Sequence, residues 1–253
     1  APSKRIDSRA WLKAVMQRER SPSAEQLNFL VEVITRCDVE AVEIRTNTIN
    51  QTQAAEPMRH MIQGLPGAGK SELIKWIKEL FEVVYGFEHG VQYVCIASQN
   101  TMAALIGGFT NHSWGGVPVT HTQLQNWQQT NWNTPNVSPL FEKFQHCRWI
   151  LMDEGSTTSA EVLSIIESNI TRSMRAKDTW KKAPGQSGHD RPFGGMNLLF
   201  FVDWWQLPPV KSTDLKSNPF VKSSPMVQKA MTMFWSKDCT SMTGMTELTY
   251  SYR

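Results

Sequence analysis

Apolar residues in this chain fall into two alternating kinds of run. Short stretches bounded by turn residues read as strands: MRHMIQG (58–64), VQYVCIAS (91–98), CRWILMDE (147–154), NLLFFVD (197–203) and MTELTYSYR (245–253). The runs between them follow a helical period. In SELIKWIKELFEVVYG (71–86), Leu73, Ile74, Ile77, Leu80, Phe81 and Val84 share one face, and Gly86 is a natural stop. TMAALIGG (101–108) and SAEVLSIIESNI (159–170) also read as helices, as do residues 8–36, whereas 37–56 is polar and reads as loop. Buried strands alternating with helices predict an α/β fold, a parallel sheet with helices on both faces. The expected division is an N-terminal helical region and linker over 1–56 and a sheet domain over 57–253. Sheets of this kind bind ligands at the carboxyl ends of their strands.

Composition changes this picture little. A chain of 253 residues, 40% hydrophobic, can bury a sizeable core. The net charge of +3 permits an acidic partner without requiring one. Cys37, Cys95, Cys147 and Cys239 stand far apart with no CxxC pair, which reads as free thiols in a reducing compartment. No apolar run reaches the ~20 residues of a membrane span. The start, APSKRIDSRAWLK, is polar and basic rather than a secretory signal. It begins with Ala1, consistent with a fragment or a processed product. An intracellular protein without membrane association is the expectation.

The chemistry begins at GLPGAGKS (64–71), a full match to G-x-x-x-x-G-K-[ST] between a strand and a helix. The glycines let backbone N–H groups curl around an anion, and the following helix adds its positive end. Gly64, Gly67, Ala68, Gly69, Lys70, Ser71 and Glu72 are the expected nucleotide contacts. Lys70 is assigned to the β- and γ-phosphates, and Ser71 to Mg²⁺. A second strand ends in Asp153 and Glu154. Asp153 is expected to hold Mg²⁺ and Glu154 to act as general base on the attacking water. Such a pair points to hydrolysis of ATP. A third strand, NLLFFVDWWQLPPV (197–210), delivers Asp203, Trp204, Trp205 and Gln206 to its end. The Gln206 amide can donate to a γ-phosphate oxygen and accept from water, a sensing role. The adjoining segment can reach a second ligand, or the tryptophans can pack under a loop.

These pieces, in this order, resemble the Pif-type DNA helicases of superfamily one. RPFGGMNLLFFVDWWQLPPV is similar to the family's motif III, typically PFGG…GDFxQLPPV. SAEQLNFL (23–30) resembles the Q-motif, GLPGAGKS motif I, CIASQNTMAALIGGFTNHSWGG (95–116) motif Ia and its continuation, ILMDE motif II, and ELTYSYR (247–253) motif IV. The long spacing from Gln26 to the cradle is also similar to helicases of Helitron-type mobile elements. The resemblance covers residues 23–253. It implies a RecA-like P-loop domain using ATP and Mg²⁺, coupled to single-stranded DNA and 5′→3′ unwinding. It implies that Gln26 reads adenine and that Arg253 is the finger on the γ-phosphate. Ser98, Asn100, His112, Ser113 and Trp204 are then the DNA contacts. It further implies a second RecA-like domain, without which this chain should not unwind DNA. Roles in DNA repair, recombination and telomere maintenance follow by resemblance, in nucleus or mitochondrion if eukaryotic.

The chain departs from the family pattern in places. Val202 stands where the family has glycine, Gly155-Ser156-Thr157 replaces Ile-Ser-Met, and SQNTMAA replaces Thr-Gly-x-Ala-Ala. The basic stretch 172–191, with Trp180, reads as a loop that either follows a phosphate backbone or is merely solvated. The Gln/Trp/Asn-rich stretch 121–136 is open between base stacking and loop packing. Two other readings share the nucleotide site: a degenerate ATP-binding remnant, and a non-helicase ATPase that clamps a protein partner.

Overall fold

The structure is a computed structural model that describes residues 6–49, 51, 54–119, 138–177, 191–209, 212–216, 224–235 and 241–249. The stretch 121–136, Trp180, Cys239 and Arg253 lie outside them.

Helix α1 (Ser8–Met16) is capped by Asp7, whose carboxylate accepts from the Ala10 N–H at 3.1 Å. Helix α2 (Ala24–Arg45) starts from a reciprocal capping box formed by Ser23 and Gln26. The expected single helix over 8–36 is therefore two, because Pro22 keeps residue 21 out of helical geometry and Ser23 starts anew. Beyond residue 36, α2 continues through a segment expected as loop. Its inner face there is polar: Glu40 pairs with Arg148 at 3.2 Å and accepts from Asn197 at 3.1 Å, and Arg36 faces Glu43 at 3.5 Å. An apolar period cannot register a helix whose buried side is charged.

The strands are β1 (Arg59–Gly64), β2 (Tyr93–Ala97), β3 (Phe109–Thr110), β4 (Trp149–Asp153), β5 (Asn197–Val202) and β6 (Gly244–Leu248). They form one sheet in the order β3-β2-β4-β5-β1-β6, with every pairing parallel. Helix α3 (Lys70–Glu79) runs into a π-helical turn, Leu80–Tyr85, that stops at left-handed Gly86. The remaining helices are α4 (Asn100–Leu105), α5 (Asn111–Gly115), α6 (Ser138–Phe144), α7 (Ala160–Lys177) and α8 (Pro225–Trp235). β3, α5 and α6 are too short to show a period.

Alternation along the strands explains their unbroken apolar character. Trp149, Leu151, Leu199 and Phe201 pack with α1, α2 and α3 on one face. Ile150, Met152, Leu198, Phe200 and Val202 pack with α7 and α8 on the other. Trp11, Val15, Phe29, Leu30 and Val33 belong to the first of these clusters. Helices α1 and α2 thus share the sheet's own core, and the division expected at residue 56 marks no separate core. Cys37, Cys95 and Cys147 are buried free thiols. Among the described residues no helix is long and apolar enough to cross a membrane.

Candidate functional site

Parallel pairing brings the carboxyl ends of β1, β4 and β5 side by side, with Gln63 opposite Val202 and Met152 opposite Phe200. The residues just beyond those ends build the site.

After β1 the chain turns through Gly67 (φ 89°) and Gly69 (φ 85°), left-handed positions that a side chain would strain. Gly69 is the N-cap of α3, so the first free N–H groups of the helix face the loop. Gly64 is confined: an added Cβ would lie 3.2 Å from the Cβ atoms of both Ala68 and Leu248. The Lys70 ammonium folds back to donate to the carbonyls of Gly64 and, at 3.3 Å, Leu65. It also lies 3.9 Å from Asp203 Oδ2. Burial pushes its pKa down, and Asp203, Asp153 and Glu154 oppose that shift. Ser71 is exposed in the first turn of α3. Glu72, expected among the nucleotide contacts, pairs with Lys75 at 3.1 Å, one helical turn on.

Asp153 is buried, and its carboxylate accepts from the Glu154 N–H at 2.9 Å. Burial pushes the Asp153 pKa up, against its hydrogen bond and Lys70. Glu154 is raised by burial and then by Asp153, with Lys70 and a hydrogen bond from Gln206 opposing. Its backbone is left-handed at φ 54°, unusual for a residue with a side chain. A buried, under-neutralised carboxylate at one strand end and an exposed hydroxyl in the first turn of the helix after the cradle are donors that suit a magnesium ion bound with nucleotide. Among the described residues no cluster of three or more His, Cys, Asp or Glu could hold a metal by itself.

Gln206 is held next to this pair. Ser156 Oγ donates to Gln206 Oε1 at 3.2 Å, and the Gln206 N–H donates to the Asp203 carbonyl at 3.0 Å. Asp203, almost fully buried, accepts the Trp205 N–H at 3.1 Å through Oδ1. Its Oδ2 has no hydrogen bond and faces Lys70. Gln63 accepts the Trp204 N–H at 3.2 Å. The sequence places Asp203 at this strand end without a partner, marks Ser156 and Thr157 only as departures from the family pattern, and gives no sign of Gln63. Their roles rest on contacts across more than 45 residues of chain, for which no local pattern exists.

Three expectations meet a local geometry that the sequence did not indicate. Gln26 is fully buried; its Oε1 accepts the Ser23 N–H at 2.9 Å and its Nε2 donates to the Gly69 carbonyl at 3.3 Å. It joins the start of α2 to the cradle, a structural role beside the adenine-reading one that the resemblance implies. Trp204, expected on DNA, is half-buried against the second core cluster, whereas Trp205 is 82% exposed. The basic stretch 172–191 is not all loop: residues 172–177 complete α7, and Arg191 is buried against Glu56 at 3.1 Å.

A groove of about 660 Å³ lies beyond the ends of β2 and β4, lined by Ser98, His112, Thr157, Glu161, Leu207 and Pro208 among others. Glu161 holds its rim by accepting from the Thr213 hydroxyl at 2.6 Å. Burial pushes the His112 pKa down, which favours the neutral ring. Of the expected DNA contacts, Ser98 and His112 line this groove. Asn100 and Ser113 are exposed outside its lining, and Ser113 is engaged with Thr110. The chain beyond β6 returns to α2, where Thr249 donates to Glu25 at 2.8 Å.

The sequence model of the PIF1-like helicases matches residues 38–244. ATP-dependent DNA helicase RRM3 of Saccharomyces cerevisiae is 28% identical over 151 residues, covering 60% of this chain and 18% of that protein. ATP-dependent DNA helicase PIF1 of Danio rerio is 30% identical over 155 residues, covering 61% and 20%. The crystal structure of Pif1 helicase from Candida albicans superposes with a TM-score of 0.56 at 20% identity, over 90% of this chain and 40% of that one. Unliganded Pif1 from Bacteroides sp gives 0.51 at 17%, over 93% and 43%. These structures bear on the fold alone. The chain spans about a fifth of the length of the curated relatives it matches.

Proposed function

The chain belongs to the PIF1-like helicase family, and from that premise we propose that it is a nucleotide-binding motor domain of an ATP-dependent DNA helicase. The observation that carries this is the convergence of Lys70, Asp153, Glu154 and Gln206 at three adjacent strand ends. ATP phosphates enter the cradle at the start of α3, where free N–H groups and the helix dipole favour an anion. Lys70 exchanges two carbonyls for phosphate oxygens, a stronger, charge-assisted contact. Ser71 and Asp153 are the residues that would hold Mg²⁺, which neutralises phosphate charge. Glu154 takes a proton from the attacking water; its raised pKa brings it closer to working pH. Gln206, hydrogen-bonded to Glu154, orients that water and senses the γ-phosphate.

Single-stranded DNA follows the groove past Ser98 and His112. The exposed pair Trp205 and Leu207, rather than Trp204, offers the apolar surface for a base. By family resemblance, Arg253 and a second RecA-like domain complete the motor, unwinding runs 5′→3′, and the protein works in the nucleus or mitochondrion if eukaryotic.

Binding tests this reading in the chain itself. A non-hydrolysable ATP analogue with Mg²⁺ and a fluorescent oligothymidylate are titrated separately into wild type, Lys70→Ala and Trp205→Ala. Lys70→Ala should lose nucleotide affinity by more than tenfold and keep the oligonucleotide. Trp205→Ala should do the reverse, by about tenfold, the order of one base stack. Oligonucleotide affinity indifferent to both Trp205 and salt would refute the DNA assignment.

A further inference from the structure

We propose that Thr157 is a positioning residue that joins the groove to the hydrolytic site, so that nucleic acid bound at Ser98 is sensed at Glu154 and Gln206. The inference rests on the reading above of the two sites.

The argument begins with one proton. A threonine hydroxyl can donate only once. Thr157 Oγ1 donates to the Glu154 carbonyl at 2.8 Å, beside the Thr157 N–H, which reaches the same oxygen at 3.0 Å. The hydrogen bond between Ser98 and Thr157 must therefore be donated by Ser98. The relay runs in one direction, from Ser98 to Thr157 to the Glu154 backbone. Both hydroxyl-bearing residues are half-buried in the lining of the groove.

A phosphate oxygen is only an acceptor. If it takes the Ser98 proton, Thr157 loses its donor, and the Thr157 hydroxyl can turn from Glu154 to replace it. The Glu154 backbone is held left-handed at φ 54°, a strained conformation for a residue with a side chain that persists only while its surroundings enforce it. Relaxing one of the two hydrogen bonds on its carbonyl moves that balance. The neighbouring residue of the same turn, Ser156, holds Gln206, which lies close enough to the Glu154 side chain to favour its charged form. A single turn of four residues thus touches the groove on one side and the γ-phosphate position on the other.

Coupling between two ligands is a ratio of affinities, and a loss of either affinity alone does not move it. The experiment measures the affinity of a non-hydrolysable ATP analogue with Mg²⁺, and of ADP, with and without saturating oligothymidylate. In the wild type the ratio for the ATP analogue should be about fivefold or more, and for ADP close to one. Thr157→Val, which keeps the shape and removes the hydroxyl, should bring the first ratio to within twofold of one. Thr157→Ser should restore it. Should Thr157→Val fail to fold, Ser98→Ala removes the proton from the other end of the relay and must also collapse the ratio. A wild type that binds both ligands without coupling overturns the inference. So does a Thr157→Val protein that keeps the ratio, or a Thr157→Ser protein that loses it. A wild type that binds neither ligand overturns the underlying functional reading, and this inference with it.

Discussion

Gly155 and Val202 fill one space between them. A Cβ on Gly155 would lie 2.9 Å from Val202 Cγ1 and 2.5 Å from the Phe200 ring. These are two positions at which the chain departs from the motif pattern it resembles, isoleucine and glycine respectively, so departures that look separate in sequence meet as one exchange of volume in space. Gly155→Ile alone should overpack the site and destabilise by about 3 kcal/mol. Val202→Gly leaves room for Phe200 to shift, so the double variant should recover at least ~1 kcal/mol relative to the sum of the singles. Urea denaturation of the four proteins decides it, and strict additivity would refute the exchange.

Asp153 is held in its charged form at a cost. Burial raises its pKa and that of Glu154, so the fold favours their protonated forms. Their contribution is present in full below the ordinary carboxylate range and is lost as pH rises through the raised values. Without nucleotide, Asp153→Asn should therefore be more stable than wild type at pH 8, by a Tm rise of about 3 °C, roughly 1 kcal/mol in a domain of this size. The gap should shrink toward pH 4. A lower Tm for Asp153→Asn at pH 8 would count against the assignment.

His60 predicts the opposite slope. It sits on β1 with Nε2 2.9 Å from the Thr246 hydroxyl and Nδ1 3.5 Å from Glu32. Burial lowers its pKa from 6.5 to about 4. A depressed folded value means that its contribution is present above 6.5 and is lost as pH falls toward 4. The loss is at most about 3 kcal/mol. His60→Gln should flatten the stability curve in that window. An NMR titration of the ring should give a midpoint near 4, and a midpoint near 6.5 would show that burial does not govern it.

Gln26 separates two readings of one residue. Its contacts include the Ser23 cap and the Gly69 carbonyl, which tie it to the fold. Gln26→Ala should cost about 1 kcal/mol of stability through the lost capping box. It should also loosen the cradle, weakening ATP and GTP binding by the same factor. A selective loss of ATP would restore the adenine-reading role that the resemblance implies.

The cradle, the acidic pair after β4, and the α/β class were legible in the sequence because each is carried by contiguous residues. A glycine-rich turn between strand and helix needs only its neighbours to define its backbone, and β4 and β5 show as unbroken apolar runs because both faces are buried. What lay beyond the strand ends was not legible. There the two-residue alternation stops, and side-chain direction is set by whichever distant group is available. Trp204 turns to the core and Trp205 to solvent in a turn held by Gln63 and by Asp203, which faces Lys70. Helix α2 outran its apolar pattern because its buried Glu40 finds Arg148 and Asn197 more than a hundred residues away. The local chain thus determined which groups reach the end of the sheet. Parallel register and the pairing of buried polar atoms decided which of them meet, because a buried donor, acceptor or charge is stable only where a partner, however distant in sequence, is brought to it.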